Sequence, residues 1–411
     1  AIAWKLSKEN NVEKIYCAPG NAGIAKVAQC VNISDSDIEN LVKFAKENNI
    51  DLTVVGPEVP LVNGIVDEFE KKGLKIFGPN KECSTFEGSK AFSKDFMIRH
   101  NIPTAKYKEY TNLDEAISEI DSFGYPVVIK ADGLAAGKGV VIPENREDAI
   151  NTLREIMSDK KFGSAGEKIV VEEFLSGIET SILAFVDNDT IVPMVSAKDH
   201  KKVYNFEKGP NTGGMGTFSP SEIYTDELSK EISEKVLNRT LEGFKKDNLN
   251  YKGVLFIGLM ITEDGPKVLE YNVRFGDPET QSVLFRLETD LHKIMEAILD
   301  NKLKDIEINY KKEEAVCVML TSGGYPEDYE KGKVITGLED LDEDIVVFHS
   351  GTKMLDGNLV TNGGRVIGIT TSAGSVEEAA KKVYKNIEKI NFEGMHYRTD
   401  IGIKFCEEIS F

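Results

Sequence analysis

The spacing of apolar and polar residues in the first hundred positions predicts alternating helices and strands. The predicted elements cover 38–45, 52–55, 61–69 and 74–77. Helices alternating with short apolar strands are typical of βαβ units and a parallel sheet. Ligands of such sheets bind beyond the carboxyl ends of the strands, so Gly56, Pro57 and Glu58, which follow one predicted strand, are candidate substrate contacts. The alternative is that these residues are ordinary turn formers.

The pattern changes twice further along the chain. Between 109 and 177 it predicts a compact β-rich unit, with β runs at 126–129 and 139–142, a helix at 146–157 and a strand at 169–174. From 178 to 311 it predicts antiparallel strands with long helices, and from 312 to 411 another α+β unit. The chain is therefore predicted to be an α/β and α+β multidomain protein with modules 1–108, 109–177, 178–311 and 312–411.

Length and charge narrow the class of protein. A chain of 411 residues is expected to form several domains, and its 50 basic and 69 acidic residues give a net charge of −19. This balance argues against nucleic acid or an anionic membrane as the main partner. The five cysteines are scattered without paired spacing, there is no apolar run of membrane length and no signal peptide, so a cytoplasmic protein is expected.

The segment 268–279 carries the most specific chemistry. It begins with an apolar strand in which Glu270 and Asn272 fall on the same face, since side chains alternate along a strand. A carboxylate beside an amide oxygen suits Mg²⁺, which completes its shell with phosphates and water. Arg274 has the same parity and is a candidate phosphate or carboxylate contact. The alternative is a solvated edge strand.

The loop 130–139 resembles a phosphate-binding hairpin. Lys130 ends an apolar strand, and Gly133, Gly137, Lys138 and Gly139 combine backbone amides open to close approach with a positive charge. A P-loop would continue into a helix, whereas this loop joins two β runs. We therefore expect a hairpin that closes over a triphosphate, with an ordinary mobile hairpin as the alternative.

Further candidates lie on either side of this hairpin. Lys90 precedes a predicted helix at 88–100 and can point into the same cleft, although a surface lysine is the simpler interpretation. An apolar strand that ends in acids and returns to apolar residues suits an adenine slot with backbone donors and acceptors, and a later carboxylate can accept bonds from ribose hydroxyls, although these acids alone would suggest a solvated strand end. These residues are Glu172, Glu173, Phe174, Leu175 and Glu179.

Glycine-rich stretches and basic turns supply the remaining substrate candidates. The stretch 208–216 is too rich in glycine to form a packed element, so it is either a linker or a substrate contact. In the last module, a lysine and an arginine lie beside glycine turns. They are candidates for binding a phosphomonoester, and the alternative is that they are incidental surface residues. The candidates are Asp199, Lys201, Asn211, Gly213, Gly214, Met215, Asp277, Lys353, Gly364 and Arg365. The histidines lack metal-site spacing, and no nucleophile motif is present.

Together these features resemble the ATP-grasp superfamily, and within it the phosphoribosylamine–glycine ligases, also called glycinamide ribonucleotide synthetases. The motifs that carry the resemblance are GSKAFSKDF, VIKADGLAAGKGVV, KDHKKV, GPNTGGMGTFSP, EYNVRFGDPETQ and TNGGRV. The resemblance implies an ATP-grasp fold between a Rossmann-like N-terminal domain and a small C-terminal α+β domain. The family normally opens with a strand and a glycine-rich turn that do not precede Ala1 here, so we expect residues upstream of this sequence.

The resemblance also implies an activity. It predicts ADP-forming ligation of glycine to 5-phosphoribosylamine in purine biosynthesis, with ATP and Mg²⁺ (or Mn²⁺) as cofactors and a monomer or weak homodimer as the assembly. Glu270 and Asn272 would hold the metal, Lys90 and Lys130 the phosphates, and Arg274 the charge developing at an acyl phosphate. The alternatives are another ATP-grasp ligase, a biotin-dependent type of carboxylase, and a regulatory protein with a dead nucleotide site.

Overall fold

The computed structural model describes residues 1–135 and 139–403 of the chain. The predicted phosphate contacts Gly137 and Lys138 lie outside the described residues. Elements of the N-terminal region are α1 (Ile2–Leu6), β1 (Tyr16–Cys17), β2 (Gln29–Cys30), α2 (Ile38–Glu47), β3 (Thr53–Val54), α3 (Glu58–Val62), α4 (Ile65–Glu70), β4 (Ile76–Phe77), α5 (Lys81–Gly88) and α6 (Lys90–Arg99). The predicted parallel pairing is confirmed, because β1 pairs with β2 and β3 with β4 in two separate parallel ladders.

Two predicted helices of this region are divided in the structure. The helix expected over 61–69 breaks at Gly64, which has a φ of +88° that only glycine adopts readily. The helix expected over 88–100 begins only at Lys90, because Ser89 is extended and its Oγ accepts a 3.2 Å bond from the Phe92 amide as an N-cap. This cap directs Lys90 out of the first turn of α6.

The next region folds as a small antiparallel unit, called here the lid. Its elements are β5 (Tyr107–Tyr110), α7 (Leu113–Glu119), β6 (Val127–Ala131), β7 (Val140–Val141), α8 (Arg146–Met157) and β8 (Ile169–Glu173). The strand order is β5-β8-β6-β7, and α7 and α8 cover an apolar core that includes Ile129 and Leu153. The predicted hairpin is confirmed, since β6 and β7 pair antiparallel around residues 132–139.

A four-stranded sheet forms the centre of the molecule. The elements here are β9 (Ile178–Val186), β10 (Ile191–Pro193), β11 (Lys198–Asp199), β12 (Lys202–Tyr204), β13 (Lys208–Asn211), β14 (Gly216–Ser219), α9 (Asp226–Ile232), α10 (Asn238–Lys246), β15 (Gly253–Thr262), β16 (Gly265–Asn272), α11 (Glu279–Arg286) and α12 (Leu291–Leu299). The order is β10-β9-β15-β16, and helices and N-terminal elements bury the sheet on both faces. The helical prediction over 225–245 is confirmed as α9 and α10 joined by a π-helical turn.

The C-terminal elements share a sheet with the central region. They are β17 (Glu314–Thr321), β18 (Val346–His349), β19 (Thr352–Leu355), β20 (Asn358–Thr361), β21 (Arg365–Ala373) and α13 (Val376–Ile387). The five-stranded order is β11-β14-β17-β21-β18, so two strands from before residue 220 extend the C-terminal sheet across the predicted boundary at 311. The glycine-rich stretch 208–216 is thereby held between the central and C-terminal regions.

Across the described part of the chain, no helix combines the length and apolarity that a bilayer span needs.

Candidate active site

A bulge in β16 places the predicted metal ligands on one face. The pairing of β15 with β16 shifts register between Gly258 and Leu259, so Val268 and Tyr271 both face the apolar core although they are three residues apart. Glu270 and Asn272 then face the opposite side, as the sequence predicted. Gly258 lies directly across from Glu270, and a Cβ there would stand 3.3 Å from its Cγ. Glycine at position 258 therefore leaves the space that the Glu270 side chain occupies, and a larger residue would crowd it.

The surroundings of Glu270 are rich in positive charge. Burial opposes ionisation of Glu270, but the nearby cations Lys201, Lys130, Lys90 and Arg274 hold its pKa below the ordinary value. The carboxylate forms neither an ion pair nor a hydrogen bond within the part of the chain that the structure describes. Asn272 donates to the carbonyl of Tyr271 (2.9 Å), which leaves its Oδ1 free of that bond. An ionised carboxylate and an amide oxygen are therefore available to a cation.

Lys130 belongs to a buried ion network that we call the lysine–glutamate triad: Lys94, Glu172 and Lys130. The Glu172 carboxylate pairs with Lys130 through Oε1 and with Lys94 through Oε2, each at 2.8 Å. All three side chains are at most 7% exposed. Lys130 also donates to the carbonyl of Leu269 (3.2 Å), next to Glu270. The lid strands β6 and β8 thus bring a lysine to the metal-ligand face.

The Glu172 side chain is committed to the triad. It is 2% exposed, and both carboxylate oxygens face lysines. Burial opposes its ionisation, yet Lys130 and Lys94 lower its pKa below the usual range. Burial lowers the pKa of Lys94 to about 8, despite the attraction of Glu172. The side chain therefore orders the two lysines, and the adenine slot, which was predicted from backbone donors and acceptors, stays a prediction.

The start of the glycine-rich hairpin is fixed to the N-terminus of α6. The carboxylate of Asp132 accepts bonds from the Ser89 hydroxyl (3.0 and 3.1 Å) and from the Ala91 amide (2.7 Å). Lys90 donates to the carbonyl of Gly133 (3.1 Å). Burial lowers the pKa of Lys90 below its usual value, although the charge of Glu270 opposes this change. Lys90 therefore joins the hairpin to the face that carries Glu270, as predicted.

The segment 173–179, where the chain leaves the lid, contains both exposed side chains and side chains that already have partners. Glu173 accepts a bond from the Lys106 amide (2.9 Å), Leu175 is buried, and Phe174 is 43% exposed. Glu179, on β9, forms an ion pair with Lys201. The strand end and Phe174 stay available as a slot for a flat ring, whereas Glu179 is engaged with a cation from the central region.

Arg274 joins β16 to the N-terminal region. It pairs with Glu87 at 2.9 Å and with Glu58 at 3.5 Å, and these carboxylates raise its pKa against the effect of burial. Burial raises the pKa of Glu87 to about 7, because the opposing field of Arg274 and a 2.7 Å bond from the Val273 amide do not offset its desolvation. Glu58 begins α3 directly after the exposed Gly56 and Pro57, so the predicted strand-end turn does reach the site.

A second arginine fixes the glycine-rich stretch. Arg365 pairs with Asp277 at 2.7 Å and donates to the carbonyls of Gly213 (2.6 Å) and Asp277 (2.9 Å). The Gly213 amide donates to the Tyr325 hydroxyl (2.9 Å), and Arg365 keeps the pKa of Asp277 below its usual range although burial opposes this. The stretch is thus tied to strand β21 and to the turn that follows β16.

Two further carboxylates face this turn, and we call Asp199 and Glu279 the carboxylate pair. The Oδ1 atom of Asp199 is buried without a hydrogen-bond partner, and the Glu279 side chain is 3% exposed. Burial, followed by the Glu279 charge, raises the pKa of Asp199 well above its usual value, and burial raises that of Glu279. Lys201 and Arg274 oppose the rise in the pKa of Glu279.

Glycines frame this pair closely. A Cβ on Gly214 would stand 2.7 Å from Asp199 Oδ1, and a Cβ on Gly276 would stand 2.6 Å from Glu279 Oε2. Real Cβ atoms do not approach that closely, so a side chain at either position would displace a carboxylate. The glycines of two motifs therefore leave the space in which the pair stands.

Several predicted contacts are not brought to the cleft by their side chains. Met215 is fully buried in the C-terminal core with Val203 and Phe218, so only its backbone remains available to a substrate. Lys353 is exposed on the β19–β20 hairpin, and Asn211 is exposed at the end of β13. Gly364 packs against the ring of Tyr325 and accepts a 2.8 Å bond from the Ser322 amide. The roles predicted for Lys353 and Asn211 stay predictions.

Four site residues were not found from the sequence: Glu87, Lys94, Asp132 and Glu279. Lys94 lies on the helix predicted over 88–100, whose apolar face indicated only packing, and Glu87 lies on α5, which was not predicted. The signal available for Glu279 was its place two residues after Asp277, and that for Asp132 was its place between Lys130 and Gly133. Each acts through a partner distant in sequence, which short motifs do not reveal.

Family models match nearly the whole chain. The N, ATP-grasp and C domains of phosphoribosylglycinamide synthetase match residues 1–87, 88–280 and 315–404. A phosphoribosylamine–glycine ligase of Caldanaerobacter subterraneus is 51% identical over 402 residues, covering 98% of this chain and 96% of that protein. One from Clostridium acetobutylicum is 48% identical, with the same two coverages of 98% and 96%.

Solved structures similar to this chain include a member of the same family. The crystal structure of a phosphoribosylamine–glycine ligase from Thermotoga maritima has a TM-score of 0.84 at 33% identity, covering 97% of this chain and 96% of that one. A biotin carboxylase from Campylobacter jejuni has a TM-score of 0.75 at 14% identity, covering 96% of this chain and 90% of that one. The second likeness shows a shared fold alone.

Proposed function

The chain belongs to the phosphoribosylglycinamide synthetase family, and from that membership we infer that it ligates glycine to 5-phosphoribosylamine at the expense of ATP. The resemblance and the ATP-grasp fold class predicted from the sequence are confirmed. The products are glycinamide ribonucleotide, ADP and phosphate, and the reaction is a step of purine biosynthesis. The observation that carries this function is the ionised Glu270 with Asn272 on one face of β16, surrounded by Lys90, Lys130 and Arg274.

The reaction consists of two displacements. A carboxylate oxygen of glycine attacks the γ-phosphorus of ATP, the bond to ADP breaks, and glycyl phosphate forms. The neutral amine of phosphoribosylamine then attacks the acyl carbon, phosphate leaves, and the nitrogen loses one proton as the amide forms. Phosphoryl transfer depends mainly on positioning and on neutralising negative charge.

The fold implies ATP and a divalent metal ion, and the donor set suits the metal. Only two oxygen donors converge on β16, and no group of three acidic, histidine or cysteine side chains arranged for a metal occurs within the described residues. Mg²⁺ commonly takes one or two protein oxygens and completes its shell with substrate phosphates, so Glu270 and Asn272 would hold Mg²⁺, or Mn²⁺ in its place. When bound, the ion would neutralise charge that develops on the phosphates.

The lysines and Arg274 complete the phosphate end of the cleft. Lys90 and Lys130 would hold the phosphates, since each stands at the strand or helix end that borders Glu270. Arg274 would stabilise the acyl phosphate, because Glu87 and Glu58 fix its guanidinium against the N-terminal region. The hairpin 132–139 would cover the triphosphate, and closure of the lid would exclude the water that hydrolyses an acyl phosphate.

The carboxylate pair would receive the ammonium group of glycine. The lysines and arginines of the cleft suit phosphates and carboxylates but repel an ammonium, so an ammonium needs a carboxylate partner. Asp199 has a buried oxygen without a partner, and a cation between Asp199 and Glu279 would relieve the repulsion that raises the pKa of Asp199. Gly213, Gly214, Asp277 and Arg365 would border the amino-sugar phosphate, with Lys353 as a further cation. We expect a cytoplasmic monomer or weak homodimer.

A coupled assay of ADP release tests the function. Purified protein with MgATP should release ADP only when both glycine and phosphoribosylamine are present, and the product should gain the mass of a glycyl group. Release that requires bicarbonate in place of glycine would instead support the carboxylase alternative. Absence of turnover with every acid and amine tested, together with retained nucleotide binding, would support the regulatory alternative.

A further inference from the structure

The lysine–glutamate triad joins the N-terminal region to the lid and contacts β16 beside Glu270. Lys94 comes from α6, whereas Glu172 and Lys130 come from lid strands β8 and β6. Lys94 also donates to the Thr104 hydroxyl (2.7 Å), which donates to the Val268 carbonyl (2.6 Å). The two lysines thereby reach the successive carbonyls of Val268 and Leu269, one through Thr104 and one directly, at the bulge that sets the direction of Glu270.

Charge within the triad is not balanced. Two lysines share one carboxylate, each through a separate oxygen, so the group carries one positive charge in excess when all three are ionised. Lys130 borders the cleft and contributes to the field at Glu270, whereas Lys94 is turned to Thr104 on the far side. The excess charge is therefore located towards the phosphate end, because Lys94 occupies the second oxygen of Glu172.

Removal of Lys94 would change both the charge and the geometry. A buried carboxylate that loses one partner becomes under-compensated, and it gains by moving closer to the cation that remains. Both oxygens of Glu172 would then be free to bind Lys130. The pair would be neutral, and its ammonium would be drawn towards β8, away from the carbonyl of Leu269.

We propose that Lys94 is a positioning residue for the ATP phosphates: by occupying one oxygen of Glu172, it leaves the Lys130 ammonium beside Glu270 with its charge uncancelled. This inference rests on the proposed function, because it assumes that Lys130 binds the nucleotide phosphates. Lys94 acts through Glu172 and does not itself touch the substrate.

Nucleotide affinity in a set of charge variants tests the proposal. Lys94→Met should raise the KM for ATP and the Kd for MgADP about tenfold, the size expected when one charge-assisted contact is weakened, while the KM for glycine changes less than about twofold. Lys94→Met/Glu172→Gln restores the excess of one positive charge and should return both ATP parameters to within about threefold of the unaltered protein. Lys94→Arg, which keeps the charge, should also stay within about threefold.

Controls separate this role from simple loss of folding. Lys161→Met removes an exposed lid lysine that pairs with Glu155 and should alter none of these values. Melting temperatures show which variants fold. If Lys94→Met does not, Glu172→Gln provides the test, since loss of the competing carboxylate should leave nucleotide affinity unchanged or tighter.

Defined outcomes would overturn the proposal. It fails if Lys94→Met binds nucleotide normally, if the double variant is as weak as the single one, or if Glu172→Gln weakens MgADP binding tenfold. Equal rises in the KM for ATP and for glycine would also contradict it, since they indicate general damage to the site. If the unaltered protein neither binds MgATP nor ligates glycine, the proposed function itself fails, which is a different result.

Discussion

The two buried charge clusters beside the cleft differ in how their charges are compensated. In the lysine–glutamate triad, each oxygen of Glu172 faces a lysine at 2.8 Å, and the pKa of that carboxyl is lowered despite its burial. Among the described residues, the buried Oδ1 of Asp199 has no hydrogen bond, and Asp199 forms no ion pair, whereas Glu172 Oε1, which also lacks a hydrogen bond, is ion-paired with Lys130. The pKa of both acids of the carboxylate pair is raised. Both clusters border the cleft, yet only in the triad does each carboxylate oxygen face a cation within ion-pair distance.

This difference separates residues that position other side chains from residues that bind substrate. A buried carboxylate without compensating partners lowers the stability of the free protein, and a ligand that supplies the missing partner removes this destabilisation. The triad needs no ligand, so it can hold Lys130 in place before ATP arrives. The carboxylate pair would be completed by a cation, and in the proposed function the ammonium of glycine would supply it.

The largest effect is expected at Glu270, the residue between the clusters. Glu270→Ala should reduce turnover about a thousandfold, because it removes the charged metal donor and leaves Lys90 and Lys130 without their central anion. Steady-state ADP release would measure it. Glu263→Ala, at the exposed tip of the same hairpin, is the matched control and should stay fully active. Full turnover by Glu270→Ala would remove the basis for a catalytic site on β16.

Glu279→Gln breaks the carboxylate pair without changing its shape. We expect the KM for glycine to rise between about tenfold and a hundredfold, the range for loss of one charged hydrogen bond, while the KM for ATP stays constant. The exposed Glu288→Gln, two residues beyond the end of the same helix, is the control. A rise in the KM for ATP alone would place the pair at the nucleotide instead.

Sequence reasoning succeeded where local geometry decides the outcome. The common face of Glu270 and Asn272 follows from strand alternation, and the hairpin of β6 and β7 follows from two β runs separated by glycines. Both conclusions need only residues close together along the chain. The bulge that turns Val268 and Tyr271 to the same core was not predicted, yet it preserved the alternation of the two ligands.

The sequence was less informative where partners are distant along the chain. Glu172 looks like a solvated strand end until β8 pairs between β5 and β6, which buries it against Lys130 and brings it to Lys94, 78 positions away. Met215 was predicted as a substrate contact, but it directly precedes β14 and its side chain lies in the core of the C-terminal sheet. Long-range strand order decides these environments, and spacing alone does not encode it.

The pH dependence of glycine binding sharpens the comparison. The raised pKa values of Asp199 and Glu279 mean that the carboxylate pair takes up a proton at a higher pH than Glu172 and Glu270, whose pKa values are lowered. As the pH falls through the range in which the pair titrates, the KM for glycine should therefore rise by up to about tenfold per pH unit while the KM for ATP stays flat. Glu279→Gln should flatten the glycine profile. Parallel changes in both KM values would show that the two clusters do not titrate separately.

Charge compensation at Glu87 is intermediate between that of Glu172 and that of Asp199, because Glu87 is ion-paired with one cation, Arg274, whereas Glu172 is ion-paired with two lysines. Burial raises its pKa to about 7, above the usual value of about 4.5, so the folded state binds more protons than the unfolded state between those values. Stability that depends on this group must then fall as the pH rises through the window. From about pH 6 to about pH 8, the unaltered protein should lose about 1 kcal/mol relative to Glu87→Gln.

Denaturant unfolding of both proteins across this pH range measures the difference. The contributions of Glu172 and Glu270 are common to both proteins and cancel in the comparison, and Glu82→Gln, exposed on the same helix, should show no such trend. A constant difference between the two proteins would mean that Arg274 alone keeps Glu87 ionised. One buried arginine would then stabilise a carboxylate as fully as the two lysines stabilise Glu172, and the number of partners would no longer distinguish the two clusters.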